Sequence, residues 1–281
     1  MNDADLQHCR DAIRTGSYSF HAASHLLPAR VRTPALALYA FCRFADDAVD
    51  EVLEKPAAVL RLQERLDAIY AGRPANTPTD RAFAAMIDAH AMPRVLPEAL
   101  LEGFAWDAQD RRYATLSDVR AYAARVASAV GAMMTVLMGV RCPNTLARAC
   151  DLGVAMQLTN IARDVGEDAR ARRIYLPTDW MAEAGLEIDA FFHDPLPTPA
   201  IRRMTKALLA EADRLYARSE AGITRLPCAV RPGIYAARHI YRGIGTQIRR
   251  NGHDSISRRA HTRKMQKMGW LGLSVIRTGL S

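Results

Sequence analysis

Between its turn signals the chain presents segments of helical length, and nowhere a strand-length run in which β-branched and polar residues alternate. Ala, Leu, Arg, Met and Glu, all favourable in helices, dominate these segments. Breaks are expected at Pro28 to Pro34, from Gly72 to Pro78, at Met92 to Pro97, at Cys142-Pro143-Asn144, at Pro177, from His193 to Pro199, and at Arg231-Pro232-Gly233. Thr79-Asp80 is placed to cap a helix running through Ala89, and Ser117-Asp118 one entering Val119 to Gly139. The stretch between Arg125 and Arg141 carries no formal charge. It falls short of the roughly 20 apolar residues of a membrane span and reads as a buried core helix. No repeat of fixed period, low-complexity block or extended linker divides the chain. The pattern predicts an all-α protein with one domain over residues 1–281.

Two polar segments interrupt this patterning. In the first, Tyr39 to Glu51, Asp46 and Asp50 stand at i and i+4 and share a helix face. Like charges at that spacing destabilise a helix by about 0.2–0.5 kcal/mol. The cost is larger after a run as apolar as Leu36 to Phe41, unless a cation compensates. A solvated acidic helix end is the competing reading. In the second segment, Gln157 to Asp168, the side chains of Asn160, Asp164 and Asp168 recur once per turn on one face, with Gln157 a turn earlier. Their setting among Val154, Ala155, Met156, Leu158 and Ile161 is hard to reconcile with a surface.

Mg²⁺ takes hard oxygen ligands, keeps several waters and commonly bridges carboxylates to substrate phosphates. Two facing helices carrying Asp46/Asp50 and Asp164/Asp168 would hold such ions around a diphosphate. Arg43 and Arg163 are positioned to fork onto phosphate oxygens. The ions would neutralise a departing diphosphate and so favour ionisation of an allylic carbon–oxygen bond. The carbocation left behind would need a deep, dry, apolar cavity, which a helical bundle lined by Ala, Leu, Met and aromatic side chains supplies.

Ser17-Tyr-Ser-Phe20 with His-Ala-Ala-Ser-His-Leu-Leu-Pro28, then Leu38 to Asp50, then Gln157 to Pro177, resemble the squalene/phytoene synthase family, its bacterial phytoene synthases above all. Similarity extends through Trp106-Asp107 to Tyr113, Tyr122 to Gly131, and from Tyr241 onward. The resemblance implies the all-α isoprenoid synthase fold, Mg²⁺ dependence with Mn²⁺ as a substitute, and no use of NADPH. It implies a reaction in two halves. Two geranylgeranyl diphosphates undergo 1'-2-3 condensation to a cyclopropylcarbinyl diphosphate, which then ionises, rearranges and loses a proton. It also implies Asp46, Asp50, Asn160, Asp164 and Asp168 as metal-site positions, with the four aspartates and Tyr241 catalytic. Ser17, Ser19, Tyr39, Arg43, Gln157, Arg163, Tyr241 and Arg258 match positions for diphosphate or substrate contact. The chain departs from the family's Ala-Gly-x-Val-Gly at Ala127-Ser128-Ala129-Val130-Gly131, where serine would add a hydroxyl and volume beside the cavity.

Other readings stay open at this point. Squalene-type, hydroxysqualene or dehydrosqualene synthases acting on farnesyl diphosphate share the motifs. A head-to-tail elongase fits Asp46-Asp47-Ala-Val-Asp50, which satisfies DDxxD, although the Asn160 ladder speaks against it. A helical adaptor whose acidic faces bind a basic partner is the non-enzyme alternative.

Charge and composition change this picture little. The net charge is +8, and Arg249, Arg250, Arg258, Arg259, Arg263, Lys264 and Lys267 make a basic C-terminal tail from about residue 249. Such a tail suits phosphate-bearing substrates or an anionic membrane. Without interleaved aromatics or a binding-fold signature it does not read as a nucleic-acid surface. The apolar Met268 to Ile276 beside it allows peripheral contact at the inner face of the membrane. The polar start, MNDADLQHCRD, is unlike a signal peptide, and five scattered cysteines read as reduced thiols of a cytoplasmic protein.

His21 and His25, at i and i+4, lack an identifiable third ligand and read as a polar or capping pair. Tyr122, Tyr175 and Tyr241 would present ring faces to cations or hydroxyls to phosphate. Ala22, Ala23, Ser24, Ala35, Ala37 and Ala40 would leave depth for a twenty-carbon chain, so a bulky residue at Ser24 or Leu36 would favour shorter substrates.

Overall fold

The computed structural model describes residues 1–50, 54–260, 274 and 278. Among these, every regular element is a helix. The first group comprises α1 (Asp3–Gly16), α2 (Tyr18–Ser24), α3 (Ala29–Asp50), α4 (Lys55–Tyr70), α5 (Pro78–His90) and α6 (Val95–Ala108). Next, α7 (Leu116–Ala123) passes through one π-helical turn, Ala124–Ser128, into α8 (Ala129–Leu137). The second group comprises α9 (Pro143–Arg170), α10 (Thr178–Glu183), α11 (Ile188–His193), α12 (Pro199–Ile223) and α13 (Arg231–Arg250).

Proline and the short polar residues set most boundaries. Pro78, Pro143 and Pro199 each open a helix, where a missing N–H removes no bond. Two expected caps move upstream. Thr77, not Thr79-Asp80, caps α5, its hydroxyl accepting from the Asp80 N–H. Asp80 and Thr79 are instead buried: Arg65 donates to Asp80 at 2.7 Å, and His8 meets the Thr79 hydroxyl at 3.0 Å. Thr115, not Ser117, caps α7 in a reciprocal capping box with Asp118. The break expected from Pro28 to Pro34 ends early, because α3 begins at Ala29 and runs through Pro34. That proline forfeits one backbone bond, while burial of Val31 and of Ala35 to Leu38 holds the helix in place.

Two apolar clusters form the interior. One gathers α1, α3, α4, α5, α6 and α8 around the stacked rings of Phe41 and Phe83, whose centroids are 3.8 Å apart. The other gathers α7, α9, α12 and α13 with Tyr113, Tyr216 and Tyr241. Phe20 packs against both. The long helices α9 and α12 run antiparallel, since Gly222 abuts Arg148 while the Tyr216 and Thr159 hydroxyls meet at 3.0 Å. The charge-free stretch after Arg125 is largely buried, as its composition predicts.

All five cysteines are unpaired thiols. No helix among the described residues is long and apolar enough to cross a membrane. The basic stretch does not leave the fold at residue 249: Arg249 and Arg250 close α13, and Arg249 donates to the Leu209 carbonyl and to Asp213. Arg263, Lys264, Lys267 and the apolar segment from Met268 to Ile276, Ser274 apart, lie outside the described residues.

Candidate active site

One face of α9 builds the wall of a cavity of about 870 Å³. Along that face Gln157, Asn160, Asp164 and Asp168 follow one another at the spacing the sequence predicts, and all four line the cavity. Helix α3 lies across from it and contributes Tyr39, Arg43 and Asp46. Ser17 and Ser19 enter from the α1–α2 junction, Arg163 from α9 and Tyr241 from α13. Asp50 ends α3, and its side chain lies outside the described residues.

Each wall is held by specific contacts. Arg43 grips Asp47 through Nε at 2.9 Å and through a second nitrogen, and its Nη1 is 3.6 Å from Asp46. Of the two adjacent aspartates, only Asp46 therefore reaches the cavity. The Ser17 hydroxyl accepts from the Phe20 N–H at 3.2 Å, which turns the chain from α1 into α2. Gly16 lets Tyr39 approach closely: a Cβ there would sit 2.4 Å from the Tyr39 hydroxyl and displace that side chain.

The α9 ladder is electrostatically uneven. Burial alone would raise the Asp164 carboxyl, but Arg163 and Arg259 outweigh it and hold the group below its usual range. Arg163 Nε donates to Asp164 at 2.8 Å, and Arg259 Nε at 2.9 Å. Burial, followed by the charge of Asp164, pushes Asp168 up to about 8, while Arg173 opposes the rise. Burial also raises the Tyr241 hydroxyl, with Arg163 and the Asn160 amide pulling the other way.

These residues fit a divalent cation. Asn160 Oδ1 is buried and has no hydrogen-bond partner among the described residues, while its Nδ2 donates to Gln157 Oε1 at 3.4 Å. The orphaned oxygen of Asn160 and, two turns further along the same face, the Asp168 carboxyl that resists ionisation are two places where a cation would relieve a burial penalty. No three carboxylates converge on one point among the described residues. They line two walls instead, which suits ions shared with a phosphate-bearing ligand rather than a single ion caged by protein.

Several expectations change. Arg258 is exposed and does not line the cavity; its neighbour Arg259 does, reaching Asp164 and Glu167. The doublet was visible in the sequence, but choosing between its members needs the path of residues 254–260. That segment docks on α9, where Gly166 N–H donates to the Ser255 carbonyl at 3.1 Å and Arg170 to the Ile256 carbonyl at 2.9 Å. Ser128 does not border the cavity: its hydroxyl donates to the Cys150 carbonyl at 2.7 Å, between the π turn and α9. Leu36 points into the core rather than the cavity, whereas Ala23, Ser24 and Ala35 do line it. His21 and His25 pack ring edge to ring face at 4.8 Å, with no ligand cluster around them among the described residues.

Asp107, Arg173 and Arg148 line the cavity and were not read from spacing. Asp107 accepts from the Tyr122 and Tyr175 hydroxyls, each at 2.8 Å, so the two stacked rings are fixed at the cavity wall.

The profile of the squalene/phytoene synthase family matches residues 13–266. The chain belongs to that family. Among similar members, the phytoene synthase of Cereibacter sphaeroides is 64% identical over 99% of this chain and 81% of its own length. That of Rhodobacter capsulatus is 65% identical over 96% of this chain and 80% of its own. A crystal structure of a dehydrosqualene synthase in complex with ligand superposes with a TM-score of 0.91 at 28% identity, covering 99% of this chain and 98% of the other. The fold of this family member is thus the all-α isoprenoid synthase fold.

Proposed function

We propose that this protein is a phytoene synthase, coupling two geranylgeranyl diphosphates head to head through a cyclopropylcarbinyl diphosphate and releasing diphosphate. Near-full-length identity of 64–65% to two phytoene synthases is the observation that carries the reading. Residues 1–281 act in it as a single catalytic domain. Asp46, Asp50, Asn160, Asp164 and Asp168 would hold Mg²⁺, and their oxygen-only donor set supports that metal. Bound Mg²⁺ neutralises charge on the departing diphosphate and so favours ionisation of the allylic bond.

The chain's own groups do the rest. Arg43, Arg163 and Arg259 offer guanidinium forks to phosphate oxygens once released from their carboxylates. Ser17, Ser19, Tyr39 and Gln157 orient the diphosphates by hydrogen bonding. Tyr122 and Tyr175, whose hydroxyls are taken up by Asp107, offer ring faces to the region where positive charge develops, and Tyr241 offers its ring and hydroxyl. The apolar lining between α3, α9 and α13 excludes water, so the carbocation ends by losing a proton rather than by capture. That ending needs no nicotinamide reductant. The protein works in the cytoplasm, and its basic C-terminal region supports peripheral contact with an anionic membrane where the apolar product resides.

Purified protein given Mg²⁺ and geranylgeranyl or farnesyl diphosphate, without NADPH, is expected to yield the forty-carbon hydrocarbon from the first. Asp164→Asn should nearly abolish that turnover while circular dichroism stays unchanged. Recovery of only longer linear diphosphates would defeat the head-to-head reading.

A further inference from the structure

The face of α9 that lines the cavity is polar at both ends and apolar between. Asn160, Asp164 and Asp168 stand toward its C-terminal end, Leu152 and Met156 follow inward, and Arg148 stands near the other end. Arg148 precedes Asn160, Asp164 and Asp168 by twelve, sixteen and twenty residues, which at 1.5 Å per helical residue places it about 18, 24 and 30 Å from them. An extended isoprene unit advances by about 5 Å, being four carbon–carbon bonds of about 1.5 Å in zigzag. Three units then span about 15 Å, four about 20 Å and five about 25 Å. Measured from Asn160 and Asp164, a twenty-carbon chain ends about level with Arg148, and a twenty-five-carbon chain runs past it toward Thr145, which lines the cavity one turn beyond.

Arg148 is not free to step aside. Its Nη1 lies 3.0 Å from Asp151, and Arg218 holds the same carboxylate at 3.3 Å from the opposite helix. Asp151 is buried. The stem of Arg148 crosses α12 at Gly222, where an added Cβ would come 2.3 Å from Arg148 Cβ. The ion pair attracts the guanidinium without a hydrogen bond to Asp151 Oδ2, which is buried and has no hydrogen-bond partner among the described residues, and the glycine gap seats the stem.

We propose that Arg148, held by Asp151, is the floor of the chain-binding cavity and sets the longest prenyl group the protein accepts. This rests on reading the cavity as a prenyl diphosphate site. Arg148 touches no reacting atom; it determines specificity.

The test uses the full chain as wild type, Arg148→Ala and Asp151→Asn. Each protein is titrated calorimetrically, with Mg²⁺ present, against thiolodiphosphate analogues of fifteen, twenty and twenty-five carbons, which resist ionisation. Wild type is expected to bind the twenty-carbon analogue about tenfold or more tighter than the twenty-five-carbon one. Arg148→Ala should shrink that ratio to about threefold or less, and Asp151→Asn should shift it the same way by a smaller factor. A wild type without that preference overturns the proposal, as does an unchanged ratio in folded Arg148→Ala. If Arg148→Ala does not fold, the Asp151→Asn ratio decides alone. Length-selective binding without hydrocarbon formation would defeat the proposed reaction and leave the floor standing. Hydrocarbon formation without length selectivity would do the reverse.

Discussion

Arg258 and Arg259 are adjacent, equally charged and indistinguishable by spacing, yet only Arg259 reaches the α9 carboxylates. Hydrogen bonds to charged groups contribute about 1.5–3 kcal/mol. Arg259→Ala should therefore lower kcat/KM by about ten- to a hundredfold, with Arg258→Ala within about twofold of wild type. Equal effects in steady-state assays would remove Arg259 from the site. A second residue-scale prediction concerns His239, which burial, followed by Arg238 and Arg242, pushes down to about 4. Its Nε2 is buried without a partner among the described residues. The unfolded chain protonates this histidine near its ordinary value of about 6.5, so it binds the proton first as pH falls. Full stability is present above about pH 6.5 and is lost toward pH 4, by as much as about 3 kcal/mol. His239→Gln should flatten that part of the denaturant-midpoint profile; an unaltered slope would count against it. The aspartates were legible because their period matches the helix. Arg259 was not, because its partner is almost a hundred residues away and only docking of the segment selects it.

At the scale of elements, the helices were readable from composition and breakers, and their exact starts were not. Thr77 and Thr115 each lie two residues before the cap read from sequence. The competing residues, Thr79 and Asp80, look like cap formers but are buried beneath His8 and Arg65. Pro34 was misleading for a related reason: burial of its neighbours outweighs one missing bond. The close meeting of α9 with residues 254–260 has no local signature beyond Gly166 itself. A Cβ at Gly166 would stand 2.7 Å from Ile256 Cα and 2.9 Å from the Ser255 carbonyl oxygen, both backbone atoms that cannot swing away. Gly166→Ala gains helix propensity worth about 1 kcal/mol, yet it should still lower the thermal midpoint and carry Arg259 off Asp164. Its loss of kcat/KM should not add to that of Arg259→Ala, because both act through one contact. Additive losses in the double variant would separate the two.

For the whole molecule, the bundle, its cavity and the polar mouth follow from pattern and ladder together. What the pattern could not supply is which apolar residues face the cavity and which face the core. Leu36 and Ala35 are neighbours with the same character, and they diverge only because α3 turns about 100° per residue between two packed surfaces.

Because one uninterrupted helix, α9, carries both the ladder and Arg148, its length is under a constraint that no single substitution reveals. One residue inserted between Arg148 and Asn160 would rotate everything beyond it by about 100° and turn either the carboxylates or the floor away from the cavity. Four inserted residues restore the face to within about 40° and add about 6 Å, close to one isoprene unit. Insertions and deletions in this helix are therefore expected to be excluded singly and tolerated, if at all, by whole turns. The longest prenyl group accepted would then change in steps of five carbons, and a product joined from two such groups in steps of ten, rather than continuously.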